Sequence, residues 1–170
     1  VGVIVAALAA RHADGLRPFT VMCCDNLPSN GHVLRGLVLA FAQLHDAKLA
    51  AWIAAEGAFP CTMVDRIVPA TTPADIAETE AALGLHDAAP VMAEPFRQWV
   101  IEDSFVAGRP AWDNAGAQLV ADVEPFEFMK LRMLNGAHST LAYLGYLAGH
   151  ETVAEASADP VLAATLERLW

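Results

Sequence analysis

Apolar residues change their spacing several times along the chain, and each change marks an element. Val1 to Ala13 is rich in Ala, Leu and Val and runs into Asp14-Gly15, which predicts a helix stopped by a glycine. After Pro18, the run Phe19-Thr20-Val21-Met22-Cys23-Cys24 is apolar and rich in strand formers. Asp25-Asn26-Leu27-Pro28-Ser29-Asn30-Gly31 follows with turn chemistry, so a strand and then a loop are predicted. From His32 to Glu56 there is no proline, and Leu34, Leu37, Val38, Phe41, Leu44, Leu49, Trp52 and Ile53 recur at helical spacing. One long helix ended by Gly57 is expected there.

Thr62 to Val68 reads as a second strand, and Thr72-Pro73-Ala74-Asp75 opens a helix through Ala82 with proline in its first position. A third β-prone segment, Val91 to Ile101, carries Pro95 inside it, which predicts an edge strand or a bulge. Gly108-Arg109-Pro110 closes that section. The order strand, loop, helix, strand, helix is that of an α/β layer. Beyond Pro125 the character changes: Phe126 to Ala148 is a long run of helix formers with Gly145 and Gly149 near its end, and another helix follows Pro160. A boundary is placed between Ala121 and Glu124, with α/β in residues 1–121 and helix in 122–170. No internal repeat or Ser/Gly linker interrupts the chain.

Composition narrows the function classes. Of 170 residues, 55% are hydrophobic and 18% charged, enough for a sizeable core, and a mean hydropathy of +0.37 excludes a disordered chain. Ten Lys plus Arg against twenty Asp plus Glu give a net charge of -10, which opposes attraction to phosphate backbones and anionic lipid. The apolar stretch Val1 to Ala10 is broken by Arg11 and has no basic leader, so neither a membrane span nor a signal peptide is read there. The chain opens Val-Gly-Val within a helix, as expected of a piece of a longer protein. Cys23, Cys24 and Cys61 form an odd set with two adjacent members, which favours packing residues in a reducing cytoplasm over a disulfide framework. The histidines at 12, 32, 45, 86, 138 and 150 lack ligand spacing, and motifs of the CxxC or HExxH kind are absent, so no metal site is expected.

The segment Glu127-Phe128-Met129-Lys130-Leu131-Arg132-Met133-Leu134-Asn135-Gly136-Ala137-His138 gathers candidate chemistry. At roughly 100° per residue, Glu127, Lys130 and His138 fall within an arc of about 80°, with Asn135 about 60° further round. Apolar residues fill so much of the remaining circumference that the helix is expected to be buried on most sides, and Lys130 with it. Burial removes the hydration that favours an ammonium, so a lysine in such a place can exist as the neutral amine that accepts a proton. The plainer reading of the same spacing has Lys130 snorkelling to water beside Glu127, His138 as a satisfied core histidine, and Asn135-Gly136 as a kink. The loop from Cys24 to Gly31 is the second candidate. In open α/β sheets ligands bind beyond the carboxyl ends of the strands, which would put Asn26 at that edge, although turn chemistry alone accounts for the same residues. Asp65 beside Arg66 fits either a local ion pair or a polar group facing the same crevice.

Lys130-Leu131-Arg132-Met133-Leu134-Asn135-Gly136-Ala137-His138 resembles the K-x4-N-x2-H signature of the polyol-specific long-chain dehydrogenases, the mannitol dehydrogenase family. Cys24 to Gly31 and Thr62 to Ile67 resemble two further blocks of that family in the expected order. Glu94 to Asp103 and Leu141 to Gly149 resemble its fructuronate reductase (mannonate oxidoreductase) branch more than mannitol 2-dehydrogenase. The likeness runs from Phe19 to Gly149.

This resemblance implies an α/β fold in which residues 1–121 are the C-terminal part of a Rossmann-like dinucleotide-binding domain and residues 122–170 begin an all-helical domain. It implies a metal-independent oxidoreductase, linked to NAD with NADP open, that interconverts a secondary alcohol and a ketone. The implied substrate is a small open-chain hexuronate or polyol, with fructuronate and mannonate first and mannitol and fructose second. No nucleic acid, membrane or particular oligomeric state is implied. By position, Lys130 would be the general acid/base, Asn26 and Asn135 an oxyanion pocket worth about 3 kcal/mol per well-aimed donor, and His138 an orienter of substrate hydroxyls. Glu127 matches a proton-relay position near the lysine, and Asp65 a cleft position facing substrate or cofactor. Against the family pattern, no G-x-G-x-x-G turn precedes Asp25, the helical domain of relatives continues past Trp170, and Cys61 stands where a polar residue is usual. A reading of another class follows from those departures: a catalytically silent structural piece of such an enzyme.

Overall fold

Alanine-rich and aliphatic stretches near the start form three helices, α1 (Gly2–Ala13), α2 (Asn30–His45) and α3 (Ala47–Glu56). The computed structural model describes residues 1–170 and divides into two units, Val1–Ala121 and Asp122–Trp170. The single helix expected from His32 to Glu56 is two helices. At the junction Asp46 adopts an extended backbone, and its carboxylate accepts the Lys48 N–H at 2.8 Å, capping α3. Apolar spacing continues across this junction, so periodicity alone does not reveal it. Val5 and Leu8 of α1, Val38 and Ala42 of α2, and Leu49, Ala50 and Ile53 of α3 pack with Val21 and Phe59 into one core. Each large aliphatic side chain buried there contributes roughly 1.5–3 kcal/mol.

The sheet of this unit has three strands, β1 (Thr62–Asp65), β2 (Gln98–Glu102) and β3 (Gln118–Val120), in the order β1-β2-β3. β1 runs antiparallel to β2 with Met63 opposite Val100, and β2 runs parallel to β3 with Ile101 opposite Leu119. The run Phe19–Cys24, expected as a strand, is not one. Its Val21 N–H donates to the Ala58 carbonyl at 3.0 Å, and the Val21 side chain joins the helical core. β-Propensity describes what a strand surface favours, whereas a paired ladder makes the strand. The third segment is also corrected: β2 begins at Gln98, after Pro95, and lies in the middle of the sheet rather than at its edge. Proline stays outside the ladder, where its missing N–H costs nothing. β3 was not anticipated, since three residues are too few to show an alternation. α4 (Pro73–Leu83) starts as expected, with a reciprocal capping box between Thr72 and Asp75.

In the second unit a helical run comprises α5 (Glu124–Met129), a π-helical segment Lys130–Asn135, and α6 (Gly136–Ala148). Two shorter helices follow, α7 (Val153–Ala158) and α8 (Pro160–Leu169). Ala137 and Leu141 of α6 pack on Ala156, Leu162 and Leu166. Gly145 allows α6 and α7 to approach, because a Cβ there would stand 2.7 Å from the Ala156 methyl. No helix of the protein is long and apolar enough to cross a membrane.

Carboxylates start both short helices. Asp159 accepts the Val161 N–H at 2.8 Å and pairs with His150 Nε2 at 3.1 Å, and Glu155 accepts the N–H groups of Glu151 and Thr152. Backbone hydrogen bonds hold both carboxyls below the usual range, with the His150 contact adding at Asp159. A depressed folded-state value means stabilisation that is complete above the unfolded carboxylate range near 4 and lost as pH falls through the lower folded values. Thermal unfolding followed by circular dichroism should therefore show the melting midpoint dropping on acidification below about pH 4. Asp159→Asn should flatten that drop. An unchanged pH profile in the variant would contradict the capping account.

Candidate active site

Lys130 opens the π-helical segment and Asn135 closes it, and the Gly136 N–H reaches back to the Leu131 carbonyl, five residues earlier. This changes the angular arithmetic of the motif. Five α-helical steps leave two residues about 140° apart. In a ladder closing over five residues, the same steps complete little more than one turn, so positions 130 and 135 fall on the same side of the helix. The K-x4-N spacing, awkward for an α-helix, is natural for this one. π-Turns are rare and are frequent at functional positions. The Trp170 indole donates to the Met133 carbonyl at 3.2 Å, serving one of the carbonyls of this segment.

Around that face, Glu127 is buried at 9% exposure, Lys130 and Asn135 are partly buried, and His138 is exposed. The expectation of a helix buried on most sides is corrected: Phe128, Met129, Leu131 and Met133 are between 40% and 44% exposed. The core of this unit draws on α6, α7 and α8 and leaves the apolar flanks of the π-segment outside it. Arg132 lies over the Phe128 ring at 4.6 Å, a cation–π contact on that flank.

In the first unit Asn26 is exposed, in the bend between the Phe19–Cys24 run and α2, and Asp65 is partly buried at the end of β1 opposite Gln98. Arg66 Nε donates to the Glu94 carbonyl at 2.9 Å, and the Glu94 carboxylate accepts the Ile67 N–H at 2.7 Å, which fastens the end of β1 to the segment leading into β2.

The residue that organises this region was not singled out from the sequence. Asn30, only 1% exposed, accepts the Thr62 N–H at 2.9 Å through Oδ1. Its Nδ2 group faces the carbonyls of Cys23 at 3.2 Å, Asp25 at 3.0 Å and Thr62 at 2.9 Å. One side chain thus ties both the approach to the Asn26 loop and β1 to the start of α2. Its burial depends on Gly31: a Cβ there would lie 2.4 Å from the Phe59 carbonyl oxygen, so only glycine lets the helix start press against residues 59–60. The Asn-Gly pair at a helix start was the available signal, and it reads equally well as turn chemistry. Partial burial pushes the Cys24 thiol up, outweighing the hydrogen bond with Thr62 that works the other way.

Comparison with known proteins adds to this geometry. Residues 1–114 match the family model described as the mannitol dehydrogenase Rossmann domain, and residues 122–170 match the mannitol dehydrogenase C-terminal domain. A D-mannonate oxidoreductase of Escherichia coli (strain K12) is 60% identical over 160 residues, which are 94% of this chain and 33% of the relative. Among solved structures, a D-sorbitol dehydrogenase in substrate-free form aligns with a TM-score of 0.90 at 44% identity, over 97% of this chain and 34% of that one. A Pseudomonas fluorescens mannitol 2-dehydrogenase, solved as a ternary complex with NAD and D-mannitol, aligns with a TM-score of 0.80 at 51% identity, over 96% of this chain and 33% of that one. The chain therefore spans about a third of the length of the relatives it matches.

Proposed function

Because this chain belongs to the mannitol dehydrogenase family, we propose that the protein interconverts a secondary alcohol and a ketone on an open-chain hexuronate, mannonate and fructuronate, in the reducing cytoplasm. A bound NAD would supply the acceptor for the hydride of the carbinol carbon. Lys130 Nζ takes the hydroxyl proton in oxidation and returns a proton to the carbonyl oxygen in reduction. The carboxamides of Asn26 and Asn135 donate to the oxygen as negative charge builds on it. His138 orients neighbouring hydroxyls, Glu127 passes the proton onward from the lysine, and Asp65 lines the cleft.

The donor set suits that division of labour. An amine and carboxamides can manage a proton and an oxyanion without a Lewis acid, while residues 1–170 include no glycine-rich turn to cradle a diphosphate. The observation that carries the proposal is the π-helical winding from Lys130 to Asn135, which suits a spacing of five to one face. Mannonate is preferred over mannitol because identity is 60% to the D-mannonate oxidoreductase and 51% to the mannitol 2-dehydrogenase of the ternary complex. That complex, holding D-mannitol, favours mannitol and fructose as the second reading.

The test is a comparison of substrates with NAD after exhaustive chelation. Mannonate should be oxidised with kcat/KM at least about tenfold above mannitol, since a site built for a carboxylate leaves buried polar groups unpaired with the analogue that lacks it. A preference for mannitol would move the assignment to the second reading, and loss of turnover on chelation would remove the metal-free mechanism.

A further inference from the structure

A second cluster lies in the first unit and takes no part in the chemistry proposed above. His32 sits in the first turn of α2, Cys61 immediately precedes β1, and Glu102 ends β2. Their ligand atoms, an imidazole nitrogen, a sulfur and a carboxylate oxygen, all lie within 4.8 Å of one another. We propose that His32, Cys61 and Glu102 form a binding site for a borderline-soft divalent cation of the zinc type.

Three observations carry this. The first is preorganisation. Glu102 N–H donates to the Cys61 carbonyl at 3.0 Å while Cys61 N–H donates to Glu102 Oε2 at 2.8 Å, so thiol and carboxylate are held side by side. Asn30, two residues before His32, accepts the Thr62 N–H, and the close approach of Gly31 to the Phe59 carbonyl fixes the start of the same helix. The second is scale. With metal–nitrogen and metal–oxygen bonds near 2.0 Å and a metal–sulfur bond near 2.3 Å, tetrahedral ligand atoms of this set stand about 3.3–3.5 Å apart, so no pair within 4.8 Å needs to contract by more than about 1.5 Å. His32 is exposed and can supply that movement by rotation of its side chain. The third is chemistry. Sulfur, imidazole and one carboxylate suit zinc-like ions rather than Mg²⁺ or Ca²⁺, which take oxygen ligands. Coordination releases the thiol proton to solvent and leaves a fourth position for water.

The site escapes a sequence search because its ligands come from three separate elements, at positions 32, 61 and 102, with none of the short spacings that mark zinc motifs. It is independent of the oxidoreductase proposal, and its test reads binding rather than turnover. Titration of the protein with Co²⁺ should produce a thiolate-to-cobalt charge-transfer band that saturates at one equivalent. Cys61→Ser should abolish the band. His32→Gln, at a surface position that leaves the fold intact, should weaken apparent affinity at least about tenfold, while the double variant Cys23→Ser/Cys24→Ser should keep the band. Absence of the band, its persistence in Cys61→Ser, or an unchanged affinity in His32→Gln would each overturn the assignment.

Discussion

Lys130→Ala is expected to lower kcat for alcohol oxidation about a thousandfold, within the range that a positioned general acid/base supplies. At 1.36 kcal/mol per factor of ten this corresponds to about 4 kcal/mol of lost transition-state stabilisation. The proton would pass to water instead of the amine assigned to it in the proposal. Two further readouts separate a proton-transfer role from a structural one. Small primary amines added to the Ala variant should restore part of the rate, because they replace the missing base. Substrate KM should change far less than kcat if, as proposed, Lys130 acts on a proton that moves only in the transition state. The side chain is partly buried at the first residue of the π-segment, so its removal leaves the core of the unit in place. Turnover in Lys130→Ala within tenfold of the unaltered protein would end the assignment.

Asn30→Ala is expected to destabilise the first unit by roughly 3 kcal/mol, read as a lower midpoint in urea with an unchanged slope. The Thr62 N–H would lose its acceptor, and the carbonyls of Cys23, Asp25 and Thr62 would lose a shared donor, all at a position only 1% exposed. Buried groups left without partners cost about 1–3 kcal/mol each, and partial relaxation toward water reduces the sum. Asn30→Asp is the sharper variant. It keeps the shape and the acceptor for Thr62 N–H but turns a donor into a carboxylate oxygen facing three carbonyls, so it should be at least as damaging as alanine. Limited proteolysis should then cut first in the loop around Asn26, the segment that Asn30 anchors. If both variants unfold within about 1 kcal/mol of the unaltered protein, Asn30 is not the anchor of that loop.

Local chemistry was legible wherever a neighbour in sequence decides the outcome. The Thr72-Pro73-Ala74-Asp75 start of α4 is a capping box that needs only four adjacent residues, and it forms as expected. Pro160 likewise opens α8. Family likeness was also legible, because K-x4-N-x2-H and the block from Cys24 to Gly31 are short and ordered. Legibility failed where a distant partner decides. Phe19–Cys24 has strand-forming residues but no ladder, Asp46 divides a helix whose apolar rhythm continues past it, and β3 is too short to show any rhythm.

The candidate site shows the same division. Resemblance to the family's short motifs, rather than spacing or residue type alone, singled out Lys130, Asn135, His138, Glu127, Asn26 and Asp65. Tertiary structure decided how the backbone presents those positions. The turn from α to π winding at Lys130 converts a spacing of five from near-opposite faces to one face, and no propensity scale distinguishes the two because both satisfy the same apolar pattern. Burial of Asn30, and with it the anchoring of the Asn26 loop, depends on how closely Gly31 meets residues 59–60, a contact between segments some thirty positions apart. Sequence determines which groups are available and which short turns hold them. Close packing between distant segments determines which of those groups meet, because it selects among local conformations that differ by only a few kcal/mol.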